Sequence, residues 1–279
     1  MNPPSPRPTD FTVIGEVEPD GEGGTADVTT IFLTASRCPI GCTMCDLHVH
    51  TLPHPTPPGA ITHQITTALQ QQASGRTVAS DANDSARPSR RWIKLYNSGN
   101  FFDPASIPPA EYADIAKLCE PFSRIIIENH PRFGASRLRP FKSMLRGQLE
   151  IAVGLETVQP RWLNRLNKQM TRDQFDRYAR SLREQKVDLR VFLMVGVPGI
   201  SVAESLRWAR LSIRHAIRQS ARHISLIAAR TGHGWAGQAD ALPDVRLDDL
   251  RDLHATATSE CGDAVTITVD EWGLKPDEE

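Results

Sequence analysis

Residues 35–50 read ASRCPIGCTMCDLHVH, a turn-rich loop holding Cys38, Cys42 and Cys45 directly after the β-branched run DVTTIFLTA. A thiol-rich loop that leaves a strand differs from a zinc knuckle, which usually forms a small module of its own. Outward from this loop, short β-branched runs alternate with longer segments whose apolar residues recur at helical spacing. The predicted strands are DVTTIFLTA, RWIKLYN, RIIIEN, LEIAVGLE, DLRVFLMVG, HISLIAAR and VTITVD. The predicted helices between them are AITHQITTALQQQ, PAEYADIAKLCEPF, GASRLRPFKSML, TRDQFDRYARSLREQ, AESLRWARLSIRHAI and RLDDLRDLHATATS, with Thr171 as an N-cap and Asp248 early in the last helix. Repeated strand–helix order predicts an α/β chain with a parallel sheet and outer helices, either an open doubly wound sheet or a closed or partial barrel. Both architectures bind ligands at the carboxyl ends of the strands. The polar stretches TASRC, NSGNFFDP, ENHP, GLET, GVPG and ARTGHG all follow predicted strands, so these ends are expected to converge on one face.

A chain of 279 residues can bury one large core. With 39% hydrophobic and 23% charged residues it reads as a soluble globular protein, and no apolar run approaches the roughly 20 residues of a membrane span. No membrane partner is expected. The opening MNPPSPRPTD lacks the basic, apolar and small-residue sections of a secretory signal, which makes the cytoplasm the expected location. The formal charge of −1 neither favours nor excludes a nucleic-acid partner, and the groupings RPSRR and SLREQKVDLR read as solvated faces. Five cysteines with three crowded together are not a disulfide framework in so long a chain. Cys119 and Cys261 read as inert core thiols. The expected organisation is a flexible entry segment at 1–24, a core at 25–245 with a disordered insert at 75–90, and a short helix and strand at 246–279.

Three thiols admit two metal readings. Structural zinc takes four ligands, so His48, His50 or His54 would complete the set. In a four-iron cluster each iron normally takes one thiolate, and supplying three leaves one iron open to an outside ligand. Cys38, Cys42 and Cys45 match the CxxxCxxC loop of the radical S-adenosylmethionine (radical SAM) superfamily. KLYNSGNFFDP, IIIENHP, VGLET, LNKQMT and MVGVPG resemble its Elongator-catalytic-subunit-like branch, most of all the archaeosine-synthase radical SAM subunit and its uncharacterised relatives, over residues 26–230.

The resemblance implies a partial (β/α)6 TIM-like barrel and a [4Fe-4S] cluster whose open iron is chelated by the amino and carboxylate groups of SAM. Reductive cleavage of SAM then yields a 5′-deoxyadenosyl radical that abstracts a substrate hydrogen, while the protein orients SAM and excludes water. By the same resemblance Ser98, Gly99 and Asn100 meet the SAM amino group, Glu128 accepts from ribose hydroxyls, and Glu156 reads polar groups of SAM or substrate. Lys168 pairs with the SAM carboxylate, with Arg165 as its rival. Gly196, Pro198 and Gly199 shape the backbone around adenine. His130 reads as a structural turn residue. Two positions depart from the pattern: Phe192 stands where many relatives carry an acid, and Met44 where much of the superfamily carries an aromatic. His233 and Trp235 either touch substrate or close the barrel, and no residue is assigned as a catalytic acid, base or radical relay. The expected partners are an electron donor such as flavodoxin or ferredoxin and a substrate that is a transfer RNA or a small molecule. An RNA would need a partner subunit or a basic rim on the barrel. Two other functions compete, a zinc-stabilised binding protein and a non-catalytic barrel scaffold; the intact cysteine set counts against the scaffold.

Overall fold

The computed structural model describes residues 5–76, 91–230, 241–271 and 274. In chain order the elements are β1 (Phe11–Pro19), β2 (Thr25–Leu33), α1 (Ala60–Arg76), β3 (Arg91–Tyr96), α2 (Tyr112–Leu118), β4 (Arg124–Glu128), α3 (Leu138–Met144), β5 (Gln148–Glu156), α4 (Pro160–Arg165), α5 (Arg172–Glu184), β6 (Asp188–Val195), α6 (Val202–Arg218), β7 (Ala221–Ala228), α7 (Leu247–Cys261) and β8 (Thr266–Asp270). The strands form one eight-stranded sheet in the order β1 to β8. The β2–β3, β3–β4, β6–β7 and β7–β8 ladders are parallel, whereas β1 runs antiparallel to β2. A doubly wound sheet reverses its strand order at a switch point; this order never reverses, which is the connectivity of a (β/α) barrel. Among the described residues no helix is long and apolar enough to cross a membrane.

The chain divides into two compact units, Met1–Cys38 with Leu47–Ile151 and Pro39–Asp46 with Ala152–Glu279. In the first, Ile61, Ile65 and Ala68 of α1 recur at helical spacing and are fully buried, as are Ile93 and Leu95 of β3 and Ile125–Ile127 of β4. Phe101 and Phe102 follow β3 and pack with Tyr112 of α2 and Phe141 of α3; the Phe101 ring stacks on Tyr112 at 5.7 Å and meets Phe141 at 4.8 Å. Gly134 seals this cluster with φ of +89° and no room for a side chain, since an added Cβ would lie 2.6 Å from Phe102 Cδ2.

Residues 11–19, expected inside a flexible entry, instead form β1. They pair with β2 along their whole length, Phe11 opposite Leu33 and Pro19 opposite Thr25. Glu16 and Glu18 both bond the Lys94 ammonium, at 2.5 and 2.6 Å. Of the expected insert, Gly75 and Arg76 belong to α1 and residues 77–90 lie outside the described residues.

In the second unit Thr171 caps α5 in a reciprocal capping box with Gln174, as its sequence position suggests. Ser201 caps α6 through the Glu204 N–H. Phe175, Ala179 and Leu182 of α5 and Ala209, Ile213 and Ala216 of α6 are buried. His215 Nε2 lies 2.6 Å from Asp176 Oδ1 and ties α6 to α5. The short α4, absent from the sequence prediction, starts on Pro160 with the Gln159 side chain accepting the Trp162 N–H.

Candidate functional site

In the first unit the approach to Cys38 is held rigidly. The Thr34 N–H donates to Gln64 Oε1 (2.9 Å) and the Ser36 N–H to Thr56 Oγ1 (2.9 Å), while Ala35 and Leu52 are joined by a backbone bond of 2.8 Å. The segment after β3 folds back on this strand end. Asn97 is fully buried and donates to Ser106 Oγ at 2.7 Å. Ser98 takes the left-handed conformation, φ 52°, and a Cβ on Gly99 would touch Cys38 Cβ at 3.7 Å. Asn100 donates from Nδ2 to Cys38 Sγ at 3.1 Å and accepts the His130 N–H at its Oδ1 at 2.8 Å.

Glu128 ends β4 half-buried, and its backbone carbonyl accepts the Phe101 N–H at 2.9 Å. His130 Nδ1 accepts the Arg132 N–H at 3.1 Å, in keeping with a structural turn residue. Asn129, which the sequence reading passed over, holds the same corner: its Oδ1 accepts the Phe102 N–H and its Nδ2 donates to the carbonyls of His130 and Phe133.

In the second unit the cysteine loop is fastened by the turn that follows α4. Asn167 Nδ2 donates to the carbonyls of Ile40 (3.2 Å) and Gly41 (2.9 Å), and Gln169 Nε2 donates to Ile40 O at 2.7 Å. The Thr43 N–H reaches Leu166 O at 3.0 Å and its hydroxyl reaches Arg165 O at 3.2 Å. Asn167 and Gln169 are both left-handed, φ 48° and 49°, a conformation that costs about 1 kcal/mol or more for non-glycine residues.

Between them Lys168 is turned the other way. Its Nζ lies 2.8 Å from Glu156 Oε1, with side chains only 10% and 12% exposed. Gly154 makes room for this pair, because a Cβ there would stand 2.6 Å from Lys168 Nζ and closer still to Glu156 Oε1. Lys168 and Glu156 are thus brought together, and each bonds the other. The rival Arg165 is exposed and lies over the Trp162 ring at 4.8 Å.

After β6, Gly196 has φ of +98° and a Cβ there would meet Val245 Cγ2 at 2.8 Å, while Pro198 is buried and the Gly199 N–H donates to Ala241 O at 2.9 Å. Met44 and Met194 pack on the Trp162–Leu166–Val197 cluster, so methionine fills an apolar contact at the position where an aromatic was expected. Phe192 lies half-buried on β6. His233 and Trp235 lie outside the described residues.

Cys38, Cys42 and Cys45 are half-buried. Cys119 is buried, and that burial pushes its thiol up to about 12; Cys261 is half-buried and also raised, chiefly by desolvation. His48 and His50 sit in a 3-10 turn and His54 Nδ1 lies 3.0 Å from Pro55 O. Among the described residues no group of three or more His, Cys, Asp or Glu is gathered so as to hold a metal ion. Neutral thiols do not attract one another, and the bound metal itself supplies most of the energy that assembles such a ligand set. The donor set, three cysteine thiols at CxxxCxxC spacing, has the ligand chemistry of an iron–sulfur cluster.

Neither a family model nor a curated protein matches the chain in sequence. Solved structures match it in fold. SuiB of Streptococcus suis bound to S-adenosylmethionine superposes with a TM-score of 0.57 at 12% identity, over 85% of this chain and 48% of that one. Methylornithine synthase (PylB) gives 0.54 at 12% over 89% and 72%. A radical SAM methyltransferase from Sphaerobacter thermophilus gives 0.57 at 15% over 94% and 77%. The fold is a partial barrel of the radical SAM type. The chain spans about half the length of SuiB.

Proposed function

We propose that this chain is a radical SAM enzyme of the Elongator-catalytic-subunit-like branch. The observation that carries the reading is a CxxxCxxC loop on a fold of the radical SAM type, leaving the first parallel strand of the sheet. Cys38, Cys42 and Cys45 would hold a [4Fe-4S] cluster. Bound there and reduced by a donor such as flavodoxin or ferredoxin, such a cluster would supply the electron for reductive cleavage of SAM, and with it the 5′-deoxyadenosyl chemistry that would take a hydrogen from the substrate.

The protein's own part is to bind and orient. In the first unit Ser98 and Gly99 would offer carbonyl oxygens to the SAM ammonium, and Glu128 would accept from ribose hydroxyls. In the second, Lys168 would meet the SAM carboxylate. Its present partner Glu156 keeps the ammonium in place at low exposure, so Lys168 is positioned before any ligand arrives. Gly196 and Pro198 would let backbone approach the adenine. The substrate would be a transfer RNA, in line with the branch resemblance, or a small metabolite.

The test is anaerobic incubation of iron- and sulfide-reconstituted protein with SAM and dithionite, followed by chromatography for 5′-deoxyadenosine. The wild type should form it and Cys42→Ala should not. A colourless protein that binds one zinc and leaves SAM intact would overturn the reading in favour of a zinc-stabilised binding protein. A salt-sensitive affinity for transfer RNA would favour the RNA substrate, because phosphate contacts release counterions.

A further inference from the structure

The Asn100 side chain is buried, 3% exposed, and held at both ends. A backbone N–H can only donate, so the 2.8 Å contact from the His130 N–H fixes the amide oxygen on that side. The NH2 group must then face Cys38 Sγ at 3.1 Å, and the sulfur is the acceptor. The backbone carbonyl of Asn100 is engaged as well, accepting the Asp103 N–H at 3.1 Å. Both of its oxygens accept within the chain, and its amide N–H is directed at a cysteine sulfur. His130 is in turn fixed by its ring bond to the Arg132 N–H, so the amide is oriented by a corner of β4 that is itself rigid.

We propose that Asn100 is a positioning residue that tunes the cluster: its amide N–H holds the Cys38 thiolate and raises the reduction potential of the bound iron–sulfur group. An added electron spreads onto the cluster sulfurs and ligand thiolates, and a fixed donor there stabilises the reduced state more than the oxidised one. A charge-assisted bond of this kind shifts the reduced-to-oxidised ratio at a given potential by about tenfold, which is ~59 mV for one electron. The inference rests on the cluster reading given above.

The experiment is an EPR-monitored redox titration of reconstituted wild type, Asn100→Ala and Asn100→Asp, each with its iron content measured. Asp keeps the shape and the acceptor for the His130 N–H, loses the donor and adds a negative charge beside the sulfur. Both variants are expected to hold iron and to show a midpoint lowered by about the tenfold equivalent, with Asp lowered more than Ala because a carboxylate oxygen replaces the NH2. A midpoint unchanged from wild type at matched iron content would overturn the inference and leave the proposed function standing. Absence of any cluster signal in the wild type would sink both. Should the variants fail to retain iron, wild type carrying ¹⁵N-asparagine decides: a ¹⁵N coupling to the reduced cluster is expected, and its absence would overturn the assignment.

Discussion

The Lys168–Glu156 pair is a buried charged contact of the second unit, and its strength can be measured without any cofactor. Replacing Lys168 by Met removes the cation 2.8 Å from a carboxylate that is only 12% exposed; Glu156→Gln removes the anion from an ammonium that is 10% exposed. Breaking one side of a buried pair costs about 3–5 kcal/mol, because the remaining charge stays desolvated. The residual exposure of both groups lowers this to about 2–3 kcal/mol for each single variant. At about 2–4 °C per kcal/mol for a chain of this size, the melting temperature should drop by roughly 5–10 °C. The double variant places two neutral side chains of similar shape in contact and should recover most of the loss. Urea unfolding of the four proteins, with the apo chain in reducing buffer, gives the coupling energy as a double-mutant cycle. A coupling of about 3–5 kcal/mol is expected, because the two single losses are largely recovered in the double variant; one below ~0.5 kcal/mol would mean that the pair is formed but idle, and the idea of a pre-positioned Lys168 would fall.

Gly134→Ala should destabilise the first unit by about 2–4 kcal/mol, combining the left-handed backbone cost with a clash against Phe102, and an unchanged thermal midpoint would refute the packing described for the aromatic cluster. The Tyr112 hydroxyl is buried with no hydrogen-bond partner among the described residues, so Tyr112→Phe should be neutral or stabilising by up to about 1 kcal/mol in urea unfolding. Burial raises the Tyr112 hydroxyl from 10.0 to about 12. Its folded value therefore exceeds its unfolded one, the stability it carries is complete below pH 10.0, and that contribution is lost as pH rises through about 12. The Phe variant should lack this alkaline loss, and identical profiles for the two proteins would refute the burial effect. Alkylation of the native apo chain at mildly alkaline pH, read by mass spectrometry, should label Cys38, Cys42 and Cys45 and spare Cys119 until unfolding; early labelling of Cys119 would contradict its burial.

The core of the fold was legible because its signal is periodic. β2 to β8 fall on the predicted strands, and α1, α2, α3, α5, α6 and α7 on the predicted helices. β1 was missed because FTVIGEVEP carries two glutamates and a glycine, and its stability comes from pairing with β2 and from Lys94, neither of which is local in sequence. The six residues of α4 are too few for a helical period to register.

At the site, the cysteine loop and the polar strand ends stood out against apolar surroundings. The bonds among them did not. Asn100 read as a contact for SAM, but its side chain reaches Cys38 across 62 residues of sequence. Asn167 and Gln169 carried no reading of their own in the sequence, and it is the fold that sets their amides against the carbonyls of Ile40 and Gly41. Gly154 did leave a trace, since a glycine inside a strand marks a close approach.

An iron left open by a three-thiolate cage is the core of this account, and its most direct test is the EPR spectrum of the dithionite-reduced, anaerobically reconstituted protein with and without SAM. A reduced four-iron signal whose g-values shift when SAM is added is the predicted result, because SAM would then ligate the iron that lacks a cysteine. A signal indifferent to saturating SAM, or no iron-based signal at all, would contradict it.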